Sequence, residues 1–303
     1  MDTERLSPRY ANIDLWDPAD VLDAMIEGQL AAVAAVRAAR SAIEHAAFGM
    51  EGWLRNNGRL IYAGAGTSGR LAVQDGVELI PTFNWPRERL LILLAGGEKA
   101  MAQAVEGAED EVARAAELIR HHGVNSADVL VAVAASGTTP FTLACLREGR
   151  RAGALTIGIA NNSGTPLLAE AEHPILLETG PEPIAGSTRM NAGTAQRITL
   201  SLLSSLVMIR LGRVYRGMMV DMRATNAKLV NRQVKMLMRL TGRSEEESRE
   251  ALRRSNRDVK VAILLLEGCA VEDAKTILEA SGGRLQAAID FFARHGSARA
   301  VAS

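Results

Sequence analysis

A surplus of charge of either sign is missing from this chain: 35 Lys and Arg stand against 35 Asp and Glu in 303 residues. With no net field to recruit nucleic acid or an anionic membrane, a small-molecule partner is favoured. Cysteine is scarce as well. Cys145 and Cys269 sit in apolar or helical contexts without C-x-x-C spacing, so both are expected to be buried thiols in a reducing cytosol. The five histidines, His45, His121, His122, His173 and His295, fall into no ligand spacing, and no metal is expected. The charge-free stretch from 129 to 146 is interrupted by Ser136, Gly137, Thr138, Thr139 and Pro140, and reads as strand, loop and helix start rather than a membrane span. The opening MDTERLSPRYANIDLWDPAD is charged and broken by prolines, which argues against a signal peptide. A soluble, cytoplasmic protein is expected, with no fixed-period repeat and no low-complexity tract.

What the chain does have is apolar content, 48% of residues, enough for one large α/β domain or two smaller ones. Residues 17–58 carry apolar side chains at three and four spacing, with Asp17 as a cap and Gly58 as a stop, and predict one or two helices. Five β-rich runs follow, RLIYAGAG, RLLILLAGG, DVLVAVAAS, LTIGIANN and HPILLETG, with helical stretches such as EKAMAQAVEGAEDEVARAAELIRHHG and TPFTLACLREGRRAG between them. Strands that are apolar throughout and alternate with helices predict a parallel sheet covered on both faces, an α/β fold whose ligands sit at the carboxyl ends of the strands. From Ser187 to Gly242 the pattern reads as a long helical region with Leu and Met on its core side. From about Thr241 short capped helices are predicted, with Ser244 and Glu247 in capping-box spacing and Gly268 and Gly282 at helix ends. The expected division is 1–240 for the α/β domain with its N-terminal helical segment, and 241–303 for a small helical domain.

The run RLIYAGAGTSGR spells G-x-G-x-x-G through Gly64, Gly66 and Gly69 where a strand should meet a helix, an anion site built from free amides and the helix dipole. A dinucleotide site would need an acidic residue at the end of the next strand, which ends instead in Gly96 and Gly97, and Gly-Arg replaces the Gly-Lys-Ser/Thr of a P-loop. Thr67 and Ser68 set this loop apart. A second strand end, AASGTTP, offers Ser136, Thr138 and Thr139, and a third segment, GPEPIAGSTRM, adds Ser187, Thr188 and Arg189. Each cluster alone could simply cap its own helix; together they could wrap one phosphate.

These motifs resemble the sugar isomerase (SIS) domain in the form found in N-acetylmuramic acid 6-phosphate etherases. The resemblance also takes in LAGGEKAMAQAVEGAEDE and VDMRATNAKLVNRQV and runs from about Thr3 through the C-terminal helices. It implies a three-layer αβα SIS fold with a small ubiquitin-associated-like helical domain. It also implies a homodimeric cytoplasmic enzyme of bacterial cell-wall recycling, without metal or organic cofactor, that cleaves the lactyl ether of a sugar phosphate. Gly66, Thr67, Ser68, Ser136, Gly137, Thr138, Thr139, Ser187 and Arg189 are the implied phosphate and substrate contacts, and Glu78 and Glu109 the implied catalytic acids.

Ether cleavage by elimination needs one or two carboxyl groups near the strand ends. Glu78, in QDGVELIPTF, lies on the helix that begins at the glycine loop, and its apolar neighbours predict partial burial. Glu109 is placed on the helix after the second strand, where Gly107 is expected to leave room for close approach of a ligand or a neighbouring backbone; Glu106 and Asp110 are equal candidates on the residues alone. Two departures stand out. The family usually has Lys at Asn191, and an acidic pair in an N-terminal INxED element where this chain reads MIEGQ. A non-catalytic sugar-phosphate sensor and an aldose–ketose isomerase are the rival readings.

Overall fold

The computed structural model describes residues 1–224 and 226–296; Thr225, within VDMRATNAKLVNRQV, and residues 297–303 of the C-terminal segment lie outside the described residues. The chain divides into two compact units, one of Met1–Val77 with Arg87–Val207, the other of Glu78–Pro86 with the chain from Met208 on.

In the first unit residues 17–58 give two helices, α1 (Pro18–Ala38) and α2 (Arg40–Arg55), that meet at Ala39. Asp17 holds the N-cap position without a side-chain bond, and Pro18 supplies the preset φ of the first turn. Gly58 is needed for close approach, since a Cβ there would lie 2.0 Å from Ala127 O. After β1 (Leu60–Gly64) and α3 (Gly66–Phe83) come β2 (Leu90–Leu94) and α4 (Val112–His121), then β3 (Val129–Val133), α5 (Pro140–Arg151), β4 (Leu155–Ala160), α6 (Pro166–Glu170), β5 (His173–Leu176) and α7 (Asn191–Arg210). The strands pair in parallel in the order β2-β1-β3-β4-β5, with Gly64 level with Leu94 on one side and Val133 on the other.

Alternation along β1 and β3 assigns the two faces. Ile61, Ala63, Leu130 and Ala132 pack with Ile119 of α4, Phe141 and Leu146 of α5 and Leu167 of α6. On the opposite face the Tyr62 hydroxyl donates to Asp75 of α3 (2.6 Å), which also accepts from Ser204 of α7 (3.1 Å). This is the expected sheet covered on both sides. α7 is long and apolar enough to cross a membrane, but 56% of its apolar window is buried within the protein, and Gln196, Thr199 and Ser204 are buried along it. It serves as a core helix.

Two expectations need correction. The helix predicted over EKAMAQAVEGAEDEVARAAELIRHHG begins only at Val112; before it lie 3-10 turns at Glu98–Met101 and Ala108–Asp110, separated by Gly107 at φ +72°. The helical region predicted from Ser187 to Gly242 is broken after α7 by a hairpin, β6 (Val214–Tyr215) and β7 (Met218–Met219). Its two turn residues, Arg216 (φ +46°) and Gly217 (φ +76°), take the left-handed conformations that tight hairpins demand.

In the second unit the hairpin is followed by α8 (Ala227–Thr241), α9 (Glu245–Arg254), α10 (Val259–Leu266), α11 (Val271–Ala280) and α12 (Leu285–His295). Leu237, Ala262, Leu264, Ile277 and Ala288 form its core. Ser244 and Glu247 make the expected capping box at α9. Lys260 is buried but satisfied, bonded to Gly283 O and paired with Asp221, each at 2.8 Å.

Candidate active site

The site begins where β1 becomes α3. Gly64 and Gly69 let the helix lie against the strand end: a Cβ on Gly64 would be 2.8 Å from Gly69 Cα, and one on Gly69 would be 2.5 Å from Leu94 Cδ1. Gly66 has φ +53° with open space beside it. The first bond of the helix runs from Gly69 N to Ala65 O at 3.0 Å, so the amides of Gly66, Thr67 and Ser68 have no acceptor within α3. Gly66 is exposed, Thr67 half-buried and Ser68 buried. Amides without an intrahelical acceptor, two hydroxyls and the positive end of an 18-residue helix come together here, an arrangement able to accept an anion.

The second loop follows the neighbouring strand, β3. Gly137 takes φ +68° with Thr165 against it, where a Cβ would lie 2.2 Å from Thr165 Oγ1. Ser136 Oγ accepts from Thr138 N (3.2 Å) and lies 3.2 Å from Thr139 Oγ1. Thr139 occupies the N-cap of α5 without making a side-chain capping bond. Ser136 therefore braces its own turn, while Thr138 is exposed.

The third segment reaches the first through Gly193, whose missing Cβ would lie 3.1 Å from Thr188 O and 3.5 Å from Thr67 Cγ2. Sequence reasoning missed Glu182. Its buried carboxylate accepts from Asn191 N (2.8 Å) and Ala192 N (2.9 Å), filling the anion position at the start of α7 from within the chain. Burial raises its pKa, against the lowering effect of those two amide bonds. The segment's remaining offer is the side chains of Ser187, half-buried, and Arg189, exposed.

Glu109 stands on the 3-10 turn Ala108–Asp110, which packs against α5, the helix that starts at the second loop. Ala108 is anchored in the core and Glu109 is exposed beside it. Gly107 takes φ +72°, and no neighbouring backbone approaches it, because a Cβ there would meet no protein atom within 4 Å. Arg70, also missed in sequence, ties α3 to the segment leading to Glu109 by donating to Ala100 O (2.7 Å) and Gln103 O (3.0 Å). Glu78 is not partly buried as expected: Leu79 takes the inward position and Glu78 is exposed. It lies twelve residues beyond Gly66 on α3, about 18 Å along the axis at the α-helical rise. The first two hydroxyl-rich loops thus follow the paired strands β1 and β3, the third approaches Thr67 through Gly193, the Glu109 turn packs against α5, and Glu78 lies well down α3.

The two sequence departures touch each other. Asn191 is buried, and its Oδ1 accepts from Gln29 Nε2 at 3.2 Å; Thr194 Oγ1 donates to Gln29 Oε1. A Cβ on Gly28 would lie 2.5 Å from Asn191 Oδ1. MIEGQ is therefore the element that supports the start of α7. Cys145 and Cys269 are buried thiols, Cys145 pushed up to about 12 by burial. Among the described residues no three His, Cys, Asp or Glu side chains converge as a metal-ligand set.

Residues 50–149 match the profile of the glucokinase regulatory protein N-terminal SIS domain, and residues 101–206 that of the SIS domain. Among solved structures, a phosphoheptose isomerase from Francisella tularensis is similar with a TM-score of 0.49 and 21% identity, over 64% of this chain and 100% of that one. The chain is 40% identical to an N-acetylmuramic acid 6-phosphate etherase of Edwardsiella ictaluri, over 96% of this chain and 97% of that protein. It is 49% identical to the etherase of the same name from Deinococcus radiodurans, over 93% of this chain and 92% of that one. At that identity, sustained along nearly the whole of both chains, this chain belongs to the N-acetylmuramic acid 6-phosphate etherase family.

Proposed function

We infer that the protein is a carbon–oxygen lyase that cleaves the D-lactyl ether of N-acetylmuramic acid 6-phosphate, giving N-acetylglucosamine 6-phosphate and D-lactate, a step of amino-sugar metabolism and peptidoglycan recycling. The observation that carries this reading is the 49% identity to a relative of that name along 93% of the chain. Its cellular place would be the cytoplasm.

An alkoxide leaves poorly, so direct displacement by water is slow, and elimination offers the easier path. Ring opening exposes a C1 aldehyde that acidifies the C2–H bond. Glu109 removes the C2 proton, the electron pair forms the C2=C3 bond, and the C3–O bond breaks as Glu78 protonates the departing lactate oxygen. Glu78, now a carboxylate, takes a proton from the water that adds at C3, and a proton returns to C2 from Glu109. The phosphate is assigned to the amides and hydroxyls of Gly66, Thr67 and Ser68, with Ser136, Gly137, Thr138, Thr139, Ser187 and Arg189 closing around it. Support for this assignment comes from the free amides of α3 and the approach of Thr67 to the Thr188 segment.

The separation of Glu78 from Gly66, about 18 Å along α3, exceeds what a hexose 6-phosphate spans from its phosphate to C3. It supports a homodimer in which Glu78 of one copy serves the phosphate loop of the other. The chain after residue 240 is assigned as a small helical module resembling the ubiquitin-associated type, a reading supported by the short helices α10 to α12.

Incubation with N-acetylmuramic acid 6-phosphate in isotopically labelled water tests the reading. Lactate release with label at C2 and C3 of the sugar is expected from the natural protein, and no lactate from Glu78→Gln. A second reading, a sugar-phosphate sensor, draws on the match to the glucokinase regulatory protein SIS domain. Substrate binding without lactate release by the natural protein would establish it instead.

A further inference from the structure

The outward face of α1 is apolar and uncovered. Leu22, Ile26, Leu30 and Val33 are 59%, 56%, 65% and 51% exposed, while Ala24, Gly28, Ala32 and Ala35 form the buried face. Spacings of four, four and three place the exposed four along one stripe. Single exposed leucines are ordinary, but a continuous stripe over three turns marks a contact surface. Charge is polarised along the same helix. Asp20, Asp23 and Glu27 lie in its first half, Arg37 in its last turn, and Arg40 opens α2. Arg9 pairs with Glu27 and Glu44 with Arg40, whereas Asp20, Asp23 and Arg37 have no ion-pair partner among the described residues.

We propose that this face seats the same face of a second copy of the chain, the two α1 helices packed antiparallel about a two-fold axis that crosses their outer faces at the level of residue 28. This deepens the homodimer reading above and rests on it. A two-fold axis there sets Ile26 opposite Leu30 and Leu22 opposite Val33, so the stripe is self-complementary, as an isologous interface requires. Arg37, leaning toward its own N-terminus, comes beside Asp20 and Asp23 of the other copy. Parallel packing would stack like charges, and an anionic membrane would repel the acidic half. The inner face of the same helix carries the Gln29 contact to the start of α7, so the second copy covers a helix that already supports the candidate site.

Two charge variants test this surface: Arg37→Glu with Arg40→Glu, and Asp20→Lys with Asp23→Lys. Analytical ultracentrifugation of the natural protein is expected to show a dimer. Each variant alone should dissociate at least ~10-fold more readily, with an unchanged far-ultraviolet circular dichroism spectrum. An equimolar mixture of the two should recover a dimer containing one copy of each, read by native mass spectrometry. Ile26→Ser with Leu30→Ser, uncharged and on the same exposed face, should weaken the dimer and not be rescued by mixing. A natural protein that is monomeric would overturn the homodimer reading itself. A natural dimer whose charge variants associate as tightly as it does, or fail to pair with each other, would overturn the α1 interface alone.

Discussion

The roles proposed for the two glutamates can be told apart by which bond each is assigned to act on. On the proposed mechanism, Glu78→Gln removes the proton donor for the departing lactate but leaves C2 deprotonation in place. Substrate should therefore still exchange its C2 hydrogen with labelled water while lactate release falls by about 10²–10⁴-fold. Glu109→Gln should lose both exchange and release; exchange that survives in Glu109→Gln and vanishes in Glu78→Gln would reverse the roles. Asn191 poses a separate question, because its amide is buried against Gln29. Asn191→Lys alone would put an unpaired cation there, at a cost of about 3–5 kcal/mol. Adding Gln29→Glu should return part of that through a coupling of about 0.5–3 kcal/mol. Urea midpoints of the two single variants and the double variant measure the cycle, and additive values would mean the two side chains do not interact.

At the scale of elements, β1 and β3 are joined at their starts by Arg59 and Asp128. Arg59 Nε donates to Asp128 Oδ1 at 2.9 Å and Nη2 to Oδ2 at 2.6 Å. Burial alone would raise the Asp128 pKa, but the bonds from Arg59 and Asn125 outweigh it and hold the carboxyl below its ordinary value. A lowered folded pKa means stability that is fully present above the unfolded value of about 3.9 and is lost as pH falls through the folded value. Asp128→Asn should therefore be less stable than the natural protein at neutral pH, with the gap in urea midpoint closing below about pH 4. A gap that stays constant down to acid pH would show that the pair's charge contributes nothing.

The five strands were legible in sequence because each is an unbroken aliphatic run bounded by Gly, Ser or Asn, and parallel strands buried on both faces have that signature. The β6–β7 hairpin was not, since two-residue strands leave no periodicity and only Arg216-Gly217 marks the turn. The hydroxyl loops could be read because they are contiguous. Glu182 and Arg70 could not, because each acts on backbone nine to thirty-three residues away in sequence. Glu78 looked half-buried because periodicity cannot say which of two adjacent residues turns inward; Leu79 does.

For the whole molecule, the decisive matter is whether one chain is a complete catalyst. Glu78 and the Gly66 loop lie on one helix, about 18 Å apart, and a helix cannot fold back on itself to bring them to one sugar. If Glu78 serves the other copy, two inactive chains should complement. The charge-reversed α1 helices make the required mixed dimer. One copy carries Arg37→Glu, Arg40→Glu and Glu78→Gln; the other carries Asp20→Lys, Asp23→Lys and Thr67→Glu, which sets a carboxylate against the amides proposed to hold the phosphate. Each alone should release no lactate. In the mixed dimer the first copy's intact loop meets the second copy's Glu78, so one site of the two is whole and lactate release should return. The opposite site combines both lesions and stays silent. Were each chain to use its own Glu78, no site in the mixed dimer would be whole, and the mixture would remain as inactive as its parts.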